Sequence, residues 1–300
     1  MIKFDEIIKI CRKHGADFTE NAPLSAFTAF KIGGPCRLLV KANSCELIKE
    51  ISLFCRKDNL PLRVIGKGSN LLVSDAGFKG VVLLLGSDFA EISVRGDIIK
   101  CEAGASLTAF CSFARDNSLA GAEFVYGIPG SVGGAVIMNA GAYDGEIADI
   151  FHSCDYFDEN CEIKTLTREN AEFSYRKSPF TGTKSIILSA EFKLAKGDKT
   201  QINAKMEDLM SRRREKQPLE FPSAGSTFKR PDGDYASRLV DACGLKGFSV
   251  GGAQVSEKHA GFIINKGNAT CDDVLKLIEA VSERVYKETG IILEREVELL

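Results

Sequence analysis

The 300-residue chain has no tryptophan, three histidines, eight prolines and almost no net charge, 39 Lys and Arg against 41 Asp and Glu leaving −2. A near-neutral balance gives no basic footprint for a polynucleotide and no acidic tail, so nucleic-acid partners are not expected. Long apolar runs are missing as well. The longest, Val81–Leu85, is strand-sized and far short of the roughly 20 residues a membrane helix requires, so no membrane span is expected. The first residues, Met1-Ile-Lys-Phe-Asp-Glu-Ile-Ile8, mix charge with apolar side chains. They show neither a secretory apolar core nor a small-residue cleavage site, which points to a soluble, cytoplasmic protein. Ten cysteines are scattered from Cys11 to Cys271 without a CxxC pair, and the nearest two, Cys154 and Cys161, have no histidine at ligand spacing. No metal site is therefore expected, and in a reducing compartment the thiols serve as small hydrophobes.

What is present is enough for a packed core: 44% of residues are apolar and 27% charged, and the length suits two domains of ordinary size. Helical spacing appears at Phe4, Ile7, Ile8 and Cys11, at Leu47, Ile48, Ile51, Phe54 and Cys55, and at Leu107, Phe110, Cys111 and Ala114. A charged helix is predicted over 201–216, with Arg212-Arg-Arg214 as a solvated last turn that complements the helix dipole. Pro218–Pro222 then marks a boundary. Ala236–Cys243 reads as a helix, and Thr270-Cys-Asp-Asp273 as a capping box opening a helix whose apolar face is Val274, Leu277, Ile278, Val281 and Val285. Strands are predicted at 62–65, 71–73, 81–85, 186–192 and 291–300, with a hairpin about Gly96-Asp97. Mixed helices and short strands at irregular spacing predict an α+β fold rather than a regular doubly wound sheet.

Between Gly121 and Gly145 there are seven glycines, interleaved with Val, Ile, Met, Phe and Tyr where a flexible linker would carry Ser and Pro. Such loops bind phosphate when consecutive backbone N–H groups converge on one oxyanion with no Cβ in the way. Gly66-Lys-Gly-Ser-Asn70 follows a predicted strand and adds Ser69 and Asn70 as side-chain donors. It is no Rossmann fingerprint, because Leu71 stands where the third glycine belongs, and no Gly-Lys-Ser/Thr closes it as a Walker A loop. Alone, it reads as an ordinary tight turn as readily as a phosphate loop. Together with Gly104-Ala105, Gly127-Ile-Pro-Gly-Ser-Val-Gly-Gly134 and Met138-Asn-Ala-Gly-Ala-Tyr143, it predicts a dinucleotide clamped from several sides.

Few groups can do proton chemistry. Tyr175-Arg176 stands before a proline-limited turn, and an arginine suits fork-like binding of carboxylate or phosphate; on its own it reads as a surface ion pair. Ser226 lies on a small-residue turn, Ser223-Ala-Gly-Ser-Thr-Phe-Lys229, that is not a hydrolase elbow since no glycine follows the serine. Glu294 and Glu296 share one face if 291–300 is a strand. His259 is a contact residue or, as a lone histidine, a structural one.

In this order the motifs resemble the UDP-N-acetylenolpyruvoylglucosamine reductases, the MurB family. They are Phe30-Lys-Ile-Gly-Gly34, Gly66–Asn70, Gly127–Gly134, Met138–Tyr143, Tyr175-Arg176, Ser223–Lys229, Gly251–Phe262 and Leu293–Val297, and they reach from about residue 27 to 297. The resemblance implies an FAD-binding domain of the vanillyl-alcohol-oxidase (PCMH) type over 1–200, with subdomains about 1–80 and 81–200, and an α+β substrate-binding domain over 201–300. It implies FAD as cofactor and NADPH as co-substrate, with a UDP-sugar whose enolpyruvyl double bond is reduced. Carried over by motif, Arg176, Ser226 and Glu296 are catalytic. FAD would be held by Gly66, Lys67, Gly68, Ser69, Asn70, Gly104, Gly127, Ile128, Pro129, Gly130, Ser131, Val132, Gly133, Asn139, Ala140 and Gly141. The UDP-sugar would meet Tyr175, Lys229, Arg230 and His259. The chain resembles the shorter, type II form, without the tyrosine-bearing loop that closes over substrate in the longer form, and a monomer is expected. A related FAD oxidase would account for the first 200 residues equally well but gives no reason for Ser223–Lys229 and Glu296, and a colourless nucleotide-binding protein is the non-enzymatic alternative.

Overall fold

The computed structural model describes residues 2–300, with side chains from Lys3 onward. Two compact units emerge. The first comprises Met1–Glu20, Leu38–Lys67 and Gly80–Arg212, the second Asn21–Arg37, Gly68–Lys79 and Arg213–Leu300. This grouping is not a contiguous cut at residue 200. Phe30, Ile32 and Leu72 bury in the same apolar cluster as Val240, Val255, Leu277 and Val281, and that shared core draws two N-terminal segments to the C-terminal residues.

In the first unit, the predicted helical faces bury as their spacing requires. Helix Cys45–Lys57 starts at Ser44, whose hydroxyl accepts from the Leu47 N–H (3.2 Å), and sinks Leu47, Ile48, Ile51 and Cys55. It packs on helix Ile2–Lys13. Strand Leu62–Ile65 pairs in parallel with Phe78–Leu84, Leu62 opposite Val81. A five-stranded antiparallel sheet runs in the order Ile163–Thr167, Phe151–Phe157, Ile186–Lys193, Ile98–Glu102, Ile92–Arg95. Helices Leu107–Asp116 and Val132–Ile137 pack against each other, and the latter lies on the sheet. The ring centroids of Phe110 and Phe192 stand 4.7 Å apart in this core.

In the second unit an antiparallel sheet runs Ser223–Ser226, Phe262–Asn265, Ala253–Val255, Ser249–Val250, beside helices Ala236–Ala242 and Cys271–Thr289. The capping box is present at Thr270 and Asp273, and the helix stops at Gly290, whose φ of 74° suits a residue without Cβ. Asp75 closes the same helix end, accepting from the N–H groups of Cys271 (2.9 Å) and Asp272 (3.2 Å).

Three expectations need correction. The final segment is not a strand over 291–300; only Glu298–Leu299 is, parallel to Leu71–Leu72. Burial there falls on Leu293 and Val297, four residues apart, so the alternation a strand face needs is absent. The run Arg212–Arg214 is not a solvated end throughout, because Arg213 is buried at 6% exposure and donates to Gln217 Oε1 (3.1 Å). The glycine-dense stretch is not all loop, since Val132–Ile137 forms a short helix inside it. Eight of the ten cysteines are buried, and burial pushes the Cys11 thiol up to about 11 and Cys55 and Cys154 up to about 12. Among the described residues no helix is long and apolar enough to cross a membrane, and no three His, Cys, Asp or Glu side chains cluster as metal ligands.

Candidate active site

The glycine loops of the first unit meet each other. A Cβ on Gly66 would stand 2.1 Å from Ser131 Oγ, so only glycine lets the two loops touch there. The segment after Pro129 is stitched down: Gly130 N–H donates to Ile128 O (2.8 Å), Val132 N–H to Ala105 O (2.8 Å) and Gly133 N–H to Ala103 O (2.8 Å). Ile128 N–H is taken by Val125 O, Gly104 N–H by Phe89 O, Asn139 N–H by Val136 O and Ala140 N–H by Ala135 O. Those seven donors hold the scaffold, and Pro129 has none. The donor set for a phosphate is therefore narrower than the motif. The N–H groups of Lys67, Gly68 and Ser69 meet no protein acceptor among the described residues, nor do those of Gly127 and Ser131. Within the first unit, Gly66 and the unengaged N–H groups of Lys67, Gly127 and Ser131 have the chemistry a pyrophosphate requires, so the residues present fit FAD.

Arg176 sits in a tight turn of the same unit, closed by a bridge between Ser174 and Lys177 whose N–H groups each donate to the other's carbonyl (3.1 and 3.0 Å). Its φ is +55°, a left-handed conformation that a bulky residue adopts only when its surroundings impose it. The guanidinium donates from Nη2 to Gly141 O (3.2 Å) and its Cζ lies 4.9 Å from the Tyr175 ring centre. Tyr175 itself is exposed. Gly141 thus touches Arg176 directly, a contact the motif alone did not show.

Ser226 and Glu296 come together in the second unit. Strand Ser223–Ser226 pairs with Phe262–Asn265 so that Ser223 faces Ile264 and Ser226 faces Phe262, three steps on one side against two on the other. The extra residue is a bulge, and Gly225, at φ +78°, carries its left-handed turn. The bulge leaves Ser226 exposed while Ala224 and Thr227 point inward. Thr227 anchors the strand end, its N–H donating to Gly261 O (2.8 Å) and its hydroxyl accepting from Ile263 N–H (3.0 Å). Glu296 N–H donates to Thr227 O (2.8 Å), and Phe228 bridges Arg295 in antiparallel sense. Asn70 of the GKGSN loop reaches the same place, its Nδ2 donating to Glu296 O (3.2 Å) and its carbonyl accepting from Glu298 N–H (2.9 Å). Glu296 is half-buried, with Oε2 shielded from solvent, whereas Glu294 is exposed and pairs with Lys229 (3.0 Å). The two glutamates thus differ in surroundings and do not share the strand face expected for them.

A cavity of about 380 Å³ in the second unit is lined by Tyr235, Ser237, Arg238, Asp241, Lys246, Lys258, His259 and Ala260. Lys258, His259 and Ala260 lie in the Gly251–Phe262 motif, but Tyr235, Ser237, Arg238, Asp241 and Lys246 fall outside every motif and escaped sequence reading. The spacing of 237, 238 and 241 along one helix face, beside Lys258-His259, is the signal that could have found them. Burial lowers the pKa of His259, and its Nδ1 accepts from Gly261 N–H (3.2 Å). Arg230 stacks on Tyr235, 4.5 Å from the ring centre.

Comparison with known proteins bears on all of this. A family model described as an FAD binding domain matches residues 36–167, and one described as the UDP-N-acetylenolpyruvoylglucosamine reductase C-terminal domain matches 217–300. A UDP-N-acetylenolpyruvoylglucosamine reductase from Clostridium botulinum is 46% identical over 278 residues, covering 93% of this chain and 90% of its own. The crystal structure of the enzyme of that name from Thermus caldophilus superposes with a TM-score of 0.80 at 35% identity, covering 95% of this chain and 98% of that one. A berberine bridge enzyme, at 15% identity and a TM-score of 0.50 over 64% of this chain and 44% of that one, shares the fold alone. The architecture is accordingly α+β with an FAD-binding domain of the PCMH type.

Proposed function

The chain belongs to the UDP-N-acetylenolpyruvoylglucosamine reductase (MurB) family, an FAD-dependent oxidoreductase that reduces the enolpyruvyl group of its UDP-sugar in peptidoglycan precursor synthesis, and from that premise we propose which residues carry the reaction. The glycine loops would hold FAD, which when bound would supply the hydride equivalent, drawn from NADPH, that the methylene carbon of the substrate receives. That carbon becomes a methyl group, and the displaced electron pair moves toward the carboxylate as an enolate-like dianion. Arg176 holds the charge that builds on that carboxylate, its permanent positive charge preorganised by the turn it sits in. Ser226 Oγ gives its proton to the carbon bearing the carboxylate, completing UDP-N-acetylmuramate. A serine is a weak acid, but the enolate is a strong base, so the transfer runs downhill. Glu296 assists at the same strand end.

The observation that carries this reading is the Gly225 bulge, which presents Ser226 to solvent beside the Glu296 backbone while its neighbours are buried. FAD is held by Lys67, Gly68, Ser69, Gly127 and Ser131 through N–H donors, with Gly66 leaving room between loops. Residues 1–200 act as the cofactor domain and 201–300 as the substrate domain. Lys229 and Arg230 favour a diphosphate, and His259 and Tyr175 add contacts to the UDP-sugar. The protein works as a cytoplasmic monomer. The test is anaerobic: NADPH should bleach the flavin of the yellow protein, and the enolpyruvyl UDP-sugar should restore its absorbance. Bleaching without restoration would point to a related FAD oxidase, and colourless protein to a nucleotide-binding role.

A further inference from the structure

We infer that Asn139 is a positioning residue for Arg176, acting on the turn that carries the guanidinium rather than on the cofactor. The inference rests on the role proposed above for Arg176. Asn139 is fully buried, at 0% exposure, and both ends of its amide are spent on backbone: Nδ2 donates to Ser174 O (3.0 Å) and Oδ1 accepts from Ala148 N–H (3.0 Å). Its backbone N–H goes to Val136 O. Little of this residue is left for an isoalloxazine or a pyrophosphate. Its own φ is +42°, and its Nδ2 bond reaches Ser174, two residues before Arg176, so two left-handed residues lie on segments joined by one hydrogen bond.

The attachment is specific in direction. Ser174 is the first residue of the Arg176 turn; its N–H and carbonyl both pair with Lys177 inside the turn, and the same carbonyl also accepts from Asn139 Nδ2 outside it. Ser178 Oγ and Thr181 Oγ1, just after the turn, donate to Ile137 O at 2.8 and 3.3 Å. Helix Val132–Ile137 therefore ends in a clamp on both sides of Arg176, and Gly141, two residues beyond Asn139, receives the guanidinium itself. An asparagine suits the pivot because one end must donate to a carbonyl and the other accept from an N–H, which neither Asp nor Leu can do. Losing the Ser174 contact frees the turn to relax from φ +55°, and a guanidinium displaced by about 1 Å costs on the order of 10²-fold in rate.

The test compares Asn139→Asp and Asn139→Ala, each alone and combined with Arg176→Ala, in anaerobic half-reactions of the flavin-loaded protein. Asn139→Asp keeps the side-chain size and the acceptor for Ala148 N–H but loses the donor to Ser174. The expected result is normal flavin affinity by fluorescence titration, normal reduction by NADPH, and oxidation by substrate slowed ~10- to 100-fold with substrate affinity little changed. In the Arg176→Ala background the Asn139 substitutions should add almost nothing. Loss of flavin binding in Asn139→Asp would overturn the inference in favour of a cofactor contact. Equal slowing with and without Arg176 would overturn it in favour of a general structural role. If Asn139→Ala does not fold, the Asp cycle decides alone. Should Arg176→Ala itself oxidise at the normal rate, the role proposed for Arg176 fails, an outcome separate from additivity between the two sites.

Discussion

Two single residues make the sharpest physical commitments. Gly225 holds φ +78° with open space where a Cβ would stand, so replacing it with alanine meets no clash and only backbone strain, about 1–2 kcal/mol. Gly225→Ala should lower the unfolding free energy measured in urea by that much and, by shifting the bulge, slow substrate-dependent flavin oxidation while leaving NADPH reduction alone. An unchanged oxidation rate would separate the bulge from catalysis. His259 makes a pH prediction. Burial holds its pKa below the ordinary 6.5, so between the folded value and 6.5 the unfolded chain carries a proton that the folded one refuses. Its contribution to stability is full above 6.5 and is lost as pH falls through the folded value. Urea unfolding should show less stability at about pH 5.5 than at about pH 7.5, and His259→Gln should flatten that difference. At this scale the sequence was informative where a residue type has one physical use, as glycine does at Gly66 and Gly225. It offered Asn139 only as a cofactor residue, and gave no sign of its two partners 35 and 9 positions away.

Secondary elements were legible to the extent that their own surfaces decide them. Leu47, Ile48 and Ile51, or Val274, Leu277 and Val281, bury one face of a helix, and that face is written in local spacing. The last ten residues were misread because Leu293 and Val297 bury without the alternation of a strand; partners from Asn70, Thr227 and Lys229 set that segment's path. The same dependence on distant chain appears at helix Cys271–Thr289. Its own capping box was visible, but the second cap, Asp75, lies almost 200 positions earlier. Asp75→Ala should cost about 0.5–2 kcal/mol, measured by chemical denaturation, because two first-turn N–H groups lose their acceptor. A change no larger than that of a surface substitution would show that Thr270 and Asp273 suffice.

For the whole molecule, the motifs identified the family, yet the compact units do not follow chain order. Residues 21–37 and 68–79 join the C-terminal unit through Phe30, Ile32 and Leu72, and no local pattern announces that. The GKGSN loop is divided between the units at Lys67 and Gly68, and Asn70 donates to the Glu296 carbonyl within the second. Function here depends on two half-reactions that must be separable. The most direct test is a single-turnover experiment on Ser226→Ala, reduced anaerobically by NADPH and then mixed with the enolpyruvyl UDP-sugar. Reduction should proceed at the wild-type rate, and the return of flavin absorbance should slow by ~10²- to 10⁴-fold, the range for loss of a positioned acid. Reoxidation at the wild-type rate would contradict the account and leave Ser226 an ordinary turn residue.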